Sequence, residues 1–464
     1  MEQIKCQRTN NMNNHDNNKK QKIQVETNRC SLEQLVTCFE DLPNELIDEI
    51  FELLDFHYVY SAFYSLNTRF HNLIVKSTLP IEVNLSSISK STFQRFNKDI
   101  ILSNKHRIHS LHLSNPCLYD DISSPTHIIS DFLHLETLSL NNMESQYLEH
   151  LLATLVSLPC LSSLSIISTG YMQNKTSIYC HVVRLLALKY CSLSLKGPYY
   201  NELLSPTIDE YSPIEYLIIS HNISIDELHN LLSYVPKLRR LCVSRVVGTS
   251  RKYIKTSPFV LPYLTHVSLD LGFIRFNVFE EMIIDIFHLV QVLHIYIYFN
   301  SDQTYINANR WEKLILSRMP NLRIFDIRYA NWPKDLTTDN HNSNQVISNN
   351  LTDKFQSSFW IERQWSFIQQ FIQERDRNYT IFYSTDPYRK KYLTLCNQLH
   401  QSTCLNSKET HLRSVHHLQV DSEKQLINCK YYFPNVTILT FKEGFSITHN
   451  SIVFMLNHVI PLKQ

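Results

Sequence analysis

His416 and His417, with Cys404 and Cys429 on either side in the chain, are residue types that could hold a metal ion, because neutral imidazole and thiolate are the usual ligands of zinc. Such sites draw their ligands at fixed short spacings, and none is present, so these side chains read as solvated or packed. The 11 cysteines are scattered as Cys6, Cys30, Cys38, Cys117, Cys160, Cys180, Cys191, Cys242, Cys396, Cys404 and Cys429, odd in number and without a C-x-x-C pair. Reduced thiols, mostly packed, are expected. H-E-x-x-H, G-x-S-x-G and G-x-x-x-x-G-K are missing, and 5 glycines leave little to cradle a phosphate. A Cys-His-Asp hydrolase would leave no local mark, since its groups meet in space rather than along the chain. No catalytic residue, cofactor or metal is expected.

The chemistry that remains is recognition, and its candidates are Tyr216, Arg240, His266, Asp270, His294, Tyr296, Asp326 and Arg328. Tyr and Arg combine large contact area with directed hydrogen bonds and carry much of the energy of protein interfaces. A recurring pattern would bring these residues together: apolar, two residues, apolar, one residue, apolar. It reads at Ile108/Leu111/Leu113, Leu135/Leu138/Leu140, Leu161/Leu164/Ile166, Val183/Leu186/Leu188, Ile214/Leu217/Ile219, Leu238/Leu241/Val243, Leu264/Val267/Leu269, Val290/Leu293/Ile295 and Leu322/Phe325/Ile327. Two more copies, Val415/Leu418/Val420 and Val436/Leu439/Phe441, stand near the C-terminus. Side chains alternate across a strand, so the residues between and beside the last two apolar positions face away from the core. The eight candidates occupy such positions, and the earlier copies supply Ser110, His112, Thr137, Ser139 and Ser165.

The segments between copies read as helices. Ser224 to Pro236 has a capping box in Ser224 and Glu227 and an apolar stripe at Leu228, Leu231, Leu232 and Val235. Glu144 to Leu158, Asn277 to Leu289, Asn309 to Arg318 and His449 to Val459 are similar. Pro159, Pro236, Pro262, Pro320 and Pro434 each precede the first apolar residue of a copy by two, where proline stops a helix and forces an extended approach. Helix, stop and short strand form a unit that buries a continuous core only when stacked. An ordinary α/β domain would also alternate helix with strand.

The copies recur roughly every 22 to 32 residues, and in this they resemble leucine-rich repeats. That resemblance implies an α/β fold: an irregular leucine-rich-repeat-like solenoid with parallel strands on the concave face. Only Asn222 and Cys191 match the Asn or Cys that such repeats place three residues after the strand.

Lys plus Arg is 44 against Asp plus Glu 43, a balance of +1, which gives no electrostatic reason to expect nucleic acid or an anionic membrane as partner. No run approaches the ~18 apolar residues of a membrane span. The expected compartment is intracellular, cytoplasmic and/or nuclear. Residues 1–35, Asn-rich, are expected to be disordered. Residues 36–80 read as three short helices, 81–330 as the solenoid and 414–464 as the last repeats with a C-terminal helix. Residues 331–413 break the period: a polar stretch, Asp339 to Ser358, reads as a mobile loop. Phe359, Ile361, Trp365 and Phe367 then alternate at strand period, although Phe367 and Phe371 fit a helix equally, with Tyr379 to Thr385 as a partner strand in a β-hairpin.

In the 36–80 segment, Leu46, Ile47, Ile50, Phe51, Leu53 and Leu54 recur at helical spacing behind Pro43, Val59, Phe63 and Leu66 follow, and Asn67 or Thr68 can cap a third helix. Leu42-Pro43, Glu45-Leu46, Ile50-Phe51 and Leu53-Leu54-Asp55 resemble the opening of an F-box. The resemblance implies that Leu42, Pro43, Leu46, Ile50, Phe51 and Leu54 form the adaptor-facing and packing set, docking on the Skp adaptor and through it on a cullin. The solenoid would then select a target protein for ubiquitin transfer catalysed elsewhere. Tyr58 departs from the acidic residue frequent in the family, and Phe70 from its Trp. The alternative is a repeat scaffold whose first helices only cap the stack.

Overall fold

The structure, a computed structural model, describes residues 39–86, 89–114, 129–198, 211–248, 259–284, 286–298, 302–331, 354–374, 377–386, 392–395, 400–402, 415–420, 423–427, 429, 432–441 and 448–460. The expected N-terminal disorder and most of the Asp339 to Ser358 loop lie outside these residues. The chain divides into two compact units, residues 1–50 and 51–464. In the first, a 3-10 turn at Phe39–Asp41 leads into helix α1, Asn44–Glu52, which runs on into the second unit. The Pro43 carbonyl accepts the first bond of α1 from the Ile47 amide at 3.2 Å, and its missing N–H costs nothing there.

The second unit opens with α2, Phe56–Phe63, and α3, Thr68–Lys76. The Asp55 side chain caps α2 by accepting from the His57 amide at 2.9 Å, and Asn67 caps α3 by accepting from Phe70 at 3.0 Å. Phe63 packs between Phe51 and Phe70, with ring centroids 5.1 and 5.3 Å away. Val59, Tyr60 and Ile74 belong to the same buried cluster as the strands that follow, so the core continues from these helices into the sheet without a break.

Ten parallel strands come next: β1 Ile81–Asn84, β2 Ile108–Leu113, β3 Thr137–Met143, β4 Ser163–Tyr171, β5 Tyr190–Lys196, β6 Tyr216–Ser224, β7 Arg240–Val247, β8 His266–Gly272, β9 Val292–Tyr298 and β10 Ile324–Asn331. Up to β9, each pairs only with its neighbours in sequence. The central apolar residues align across the ladder as Leu111, Leu138, Leu164, Cys191, Leu217, Leu241, Val267, Leu293 and Phe325. These residues share one core with the intervening helices Ser145–Leu155, Lys175–Val183, Ile225–Leu232, Phe276–Ile283 and Ala308–Arg318, so the opposite face of the sheet carries the alternate set. The capping box at Ser224 and Glu227 is present.

The fourth copy is out of place in the sequence pattern. The aligned triplet is Leu188/Cys191/Leu193, whereas Leu186, expected at its centre, is 70% exposed. The turn ahead of the strands explains the difference. The Leu238 amide bonds back to Val235, Leu264 to Leu261 and Leu322 to Met319, which places Pro236, Pro262 and Pro320 at the second position of a β-turn, where a fixed φ near −65° fits. In the fourth unit Leu188 bonds back to Leu185 at 3.2 Å, so Leu186 stands where the prolines stand and points outward. Cys191 is thereby a core residue with a thiol that burial pushes up to about 12, not the loop cysteine of a leucine-rich repeat.

Beyond β10 the direction reverses. β11, Ser366–Glu374, and β12, Arg377–Asp386, form the expected hairpin, and β12 pairs antiparallel with β10. Phe359 and Ile361 are helical, in Ser358–Glu362, rather than at strand period. That helix ends with Gln364 at φ 58° and bonds from the Gln364 amide to Ile361 and from Trp365 to Trp360, a Schellman closure. β13, Tyr392–Leu395, joins β15, His417–Val420, and β16, Ile438–Phe441, in a separate parallel sheet, while β14, His400–Ser402, extends the first sheet beside β11. The hairpin is buried on both faces: Phe367 and Phe382 join the main core, while Ile368, Ile381 and Tyr383 cluster with Ala330.

Leu241, 1% exposed between Leu217 and Val267, tests the register. Leu241→Ala is expected to lower stability by about 2 to 5 kcal/mol in denaturant unfolding. A loss below about 1 kcal/mol would contradict the assignment.

Candidate functional site

Among the described residues, no three of His, Cys, Asp and Glu converge as a metal site would require. His417 faces Thr440 across the second sheet, Nε2 to Oγ1 at 2.7 Å, and the His416 carbonyl accepts from Thr437 and Ile438. Cys404 lies outside the described residues. No described helix is long and apolar enough to cross a membrane.

The six residues matched to the F-box motif are not equally placed. Pro43, Leu46 and Leu54 are exposed, the two leucines each at 43%, while Leu42, Ile50 and Phe51 are half-buried and Phe51 packs on Phe63. Leu53, beside Leu54, is 86% exposed, and Tyr58 62%.

The eight recognition candidates all fall on the helix-free face of β6 to β10, and strand register makes them neighbours. Tyr216, Arg240 and His266 form one row across β6, β7 and β8. His294 and Asp326 pair in the next, Nδ1 to Oδ2 at 3.4 Å, and the Ser384 hydroxyl of β12 donates to the other Asp326 oxygen at 2.5 Å. Asp270, Tyr296 and Arg328 make a third row, with the Arg328 guanidinium 4.6 Å from the centre of the Tyr296 ring. Burial raises the Asp270 carboxyl to about 6 even though Arg245 and Arg328 pull it down. Burial also lowers the His266 imidazole, helped by Arg240 and His294. The early strands offer Ser110, which is buried, and the smaller polar residues His112, Thr137, Ser139 and Ser165.

Sequence reasoning missed two members of this face, Arg245 and Tyr298, and one exposed ring at the end of β8, Phe273. Arg245 lies 5.8 Å from the Tyr298 ring, and Tyr298 6.0 Å from Tyr296, beyond the triplets that marked the strands. Arg245 lies within a break in the β7 ladder between Val243 and Val246, which strict alternation does not anticipate. Phe273, just past β8, is 70% exposed with φ 56°.

A buried polar group on the core side was also not foreseen. Lys175, 1% exposed, donates to the Asn222 carbonyl at 2.6 Å; burial lowers its ammonium and Glu227, itself 2% exposed, raises it. Next to it the Tyr179 hydroxyl donates to His221 Nε2 at 2.6 Å, and His221 Nδ1 in turn donates to the Leu193 carbonyl at 3.1 Å. Burial holds His221 down to about 3, so the ring is neutral and this tautomer is the one the bonds require. These groups are paired and sealed from solvent, which makes them structural. The chain matches no protein-family model and no curated protein.

Proposed function

We propose that the chain is an F-box substrate receptor. Leu42 to Leu54 dock on the Skp adaptor, and the strand face of a leucine-rich-repeat-like solenoid captures a target protein for ubiquitin transfer catalysed elsewhere. The observation that carries this reading is the exposure of Leu46 and Leu54, two motif positions in an otherwise amphipathic helical stretch, which costs the free chain hydration and gains only when a partner covers them. Sequential parallel pairing of β1 to β10 supports the solenoid.

A second reading has its own support: Val59, Tyr60 and Ile74 share the sheet core, as residues of a terminal cap would. A pull-down separates the two. Wild-type chain is expected to co-purify with the Skp adaptor, and the Leu42→Ala/Pro43→Ala variant to lose it while melting at an unchanged temperature. Undiminished capture by the variant, or no capture by wild type, would leave the cap as the role of these helices.

A further inference from the structure

The arginines of this chain differ in how their charge is met. Arg239 has a Glu215 oxygen at 2.8 Å and Arg310 a Glu280 oxygen at 2.5 Å. Arg245 and Arg328, on the helix-free face, stand against aromatic rings, Tyr298 and Tyr296, and have no ion pair among the described residues. The Arg328 Nε is buried without a hydrogen-bond partner. A guanidinium fork left in that state is matched by a carboxylate, which accepts two parallel bonds. Asp270 lies near enough to both arginines to feel their charge but forms no ion pair with either, so it does not fill that role.

Phe273 adds a second, independent observation at the same strand ends. A bulky residue at φ 56° is a rare and costly backbone state, and here it holds an aromatic ring 70% exposed. Its backbone is packed tightly, since a Cβ on Gly248 would stand 3.0 Å from the Phe273 carbonyl oxygen. Gly272 is hemmed in as well, with the Tyr298 hydroxyl 3.2 Å from where a Cβ would be. Strain that presents an apolar ring to solvent, at the same strand ends as cations with no ion pair among the described residues, matches a peptide carrying both features.

We propose that the C-terminal ends of β7 to β10 bind an acidic peptide segment of another protein, its carboxylates against Arg245 and Arg328 and an apolar side chain against Phe273. The inference deepens the target-capture half of the proposed function, but the site stands whether or not the adaptor binds.

The test uses purified full-length chain and fluorescence anisotropy with a labelled Glu-Glu-Phe-Glu-Glu-Glu peptide. A Gln-for-Glu version serves as control, and inorganic phosphate as competitor. The acidic peptide is expected to bind at least about tenfold more tightly than the control, the scale of one charge-assisted contact. Arg245→Gln and Arg328→Gln should each weaken it by about tenfold, and Asp270→Asn, which removes a nearby negative charge that repels the peptide, should tighten it severalfold. Phe273→Gly guards against misfolding as an explanation: glycine relieves the backbone at positive φ, so melting should occur at an equal or higher temperature while binding falls. No binding of the acidic peptide, equal binding of the control, arginine variants without effect, or displacement by millimolar phosphate would overturn the proposal. Peptide binding without adaptor capture would sink the receptor reading alone, and adaptor capture without peptide binding would sink only this site.

Discussion

Lys175→Ala is expected to be among the most damaging single substitutions in the chain, at about 3 to 5 kcal/mol, because it leaves the carboxylate of Glu227 buried without the nearby cation. The Asn222 carbonyl would lose its 2.6 Å donor at the same time. Urea unfolding of the single variant measures the loss. The double variant Lys175→Met/Glu227→Gln should recover most of it, since an apolar chain and a neutral amide replace two desolvated charges, and the new amide oxygen can still accept from the Ser224 amide in the capping box. A single variant within about 1 kcal/mol of wild type, or a double no better than the single, would show that the two charges are not coupled in this way.

The second large effect concerns target capture. Substituting Arg240, Tyr296 and Arg328 together by alanine removes two guanidiniums and a ring from one face, including the 4.6 Å stack of Arg328 on Tyr296. If this face holds the target, the joint cost at about 1 to 2 kcal/mol per anchor is about a hundredfold to ten-thousandfold in affinity. The variant should then release its captured proteins, measured by proximity labelling, while adaptor capture and melting temperature stay as they were. An unchanged set of captured proteins would move attention to the 331–413 region. Its hairpin continues the sheet beside β10.

The alternating arrangement was legible because each unit repeats the same physical demands. An amphipathic helix, a turn and an apolar triplet recur with prolines in one register, and no single copy has to be read correctly for the stack to emerge. The fourth unit shows the limit of that logic. Cys191 is as buried as any leucine, yet thiols do not mark a strand as strongly as branched chains do, and Leu186 nearby invited the wrong frame. Its exposure became intelligible only through the Leu188 to Leu185 turn bond. Lys175 and His221 were illegible for the opposite reason. Their types predict solvent, and only contacts brought about by folding, between a helix and the ends of strands, satisfy them. At residues 359–367 strand spacing misled in the first half: Phe359 and Ile361 lie in a helix that a left-handed Gln364 ends just before β11 begins, while Phe367 and Phe371, which fitted a helix equally, belong to β11.

The strictly sequential pairing of β1 to β10 bears on how the protein is made. Every ladder contact in this run joins segments that leave the ribosome one after the other, so each strand finds its partner already folded and waits for nothing synthesised much later. During synthesis, the growing end of the sheet always exposes one unpaired strand. It is protected only when β12 arrives from beyond residue 376 and closes over β10. A pause in translation shortly after residue 331 would therefore leave the longest described sheet with β10 as an open edge, until the hairpin and then β14 add on to it.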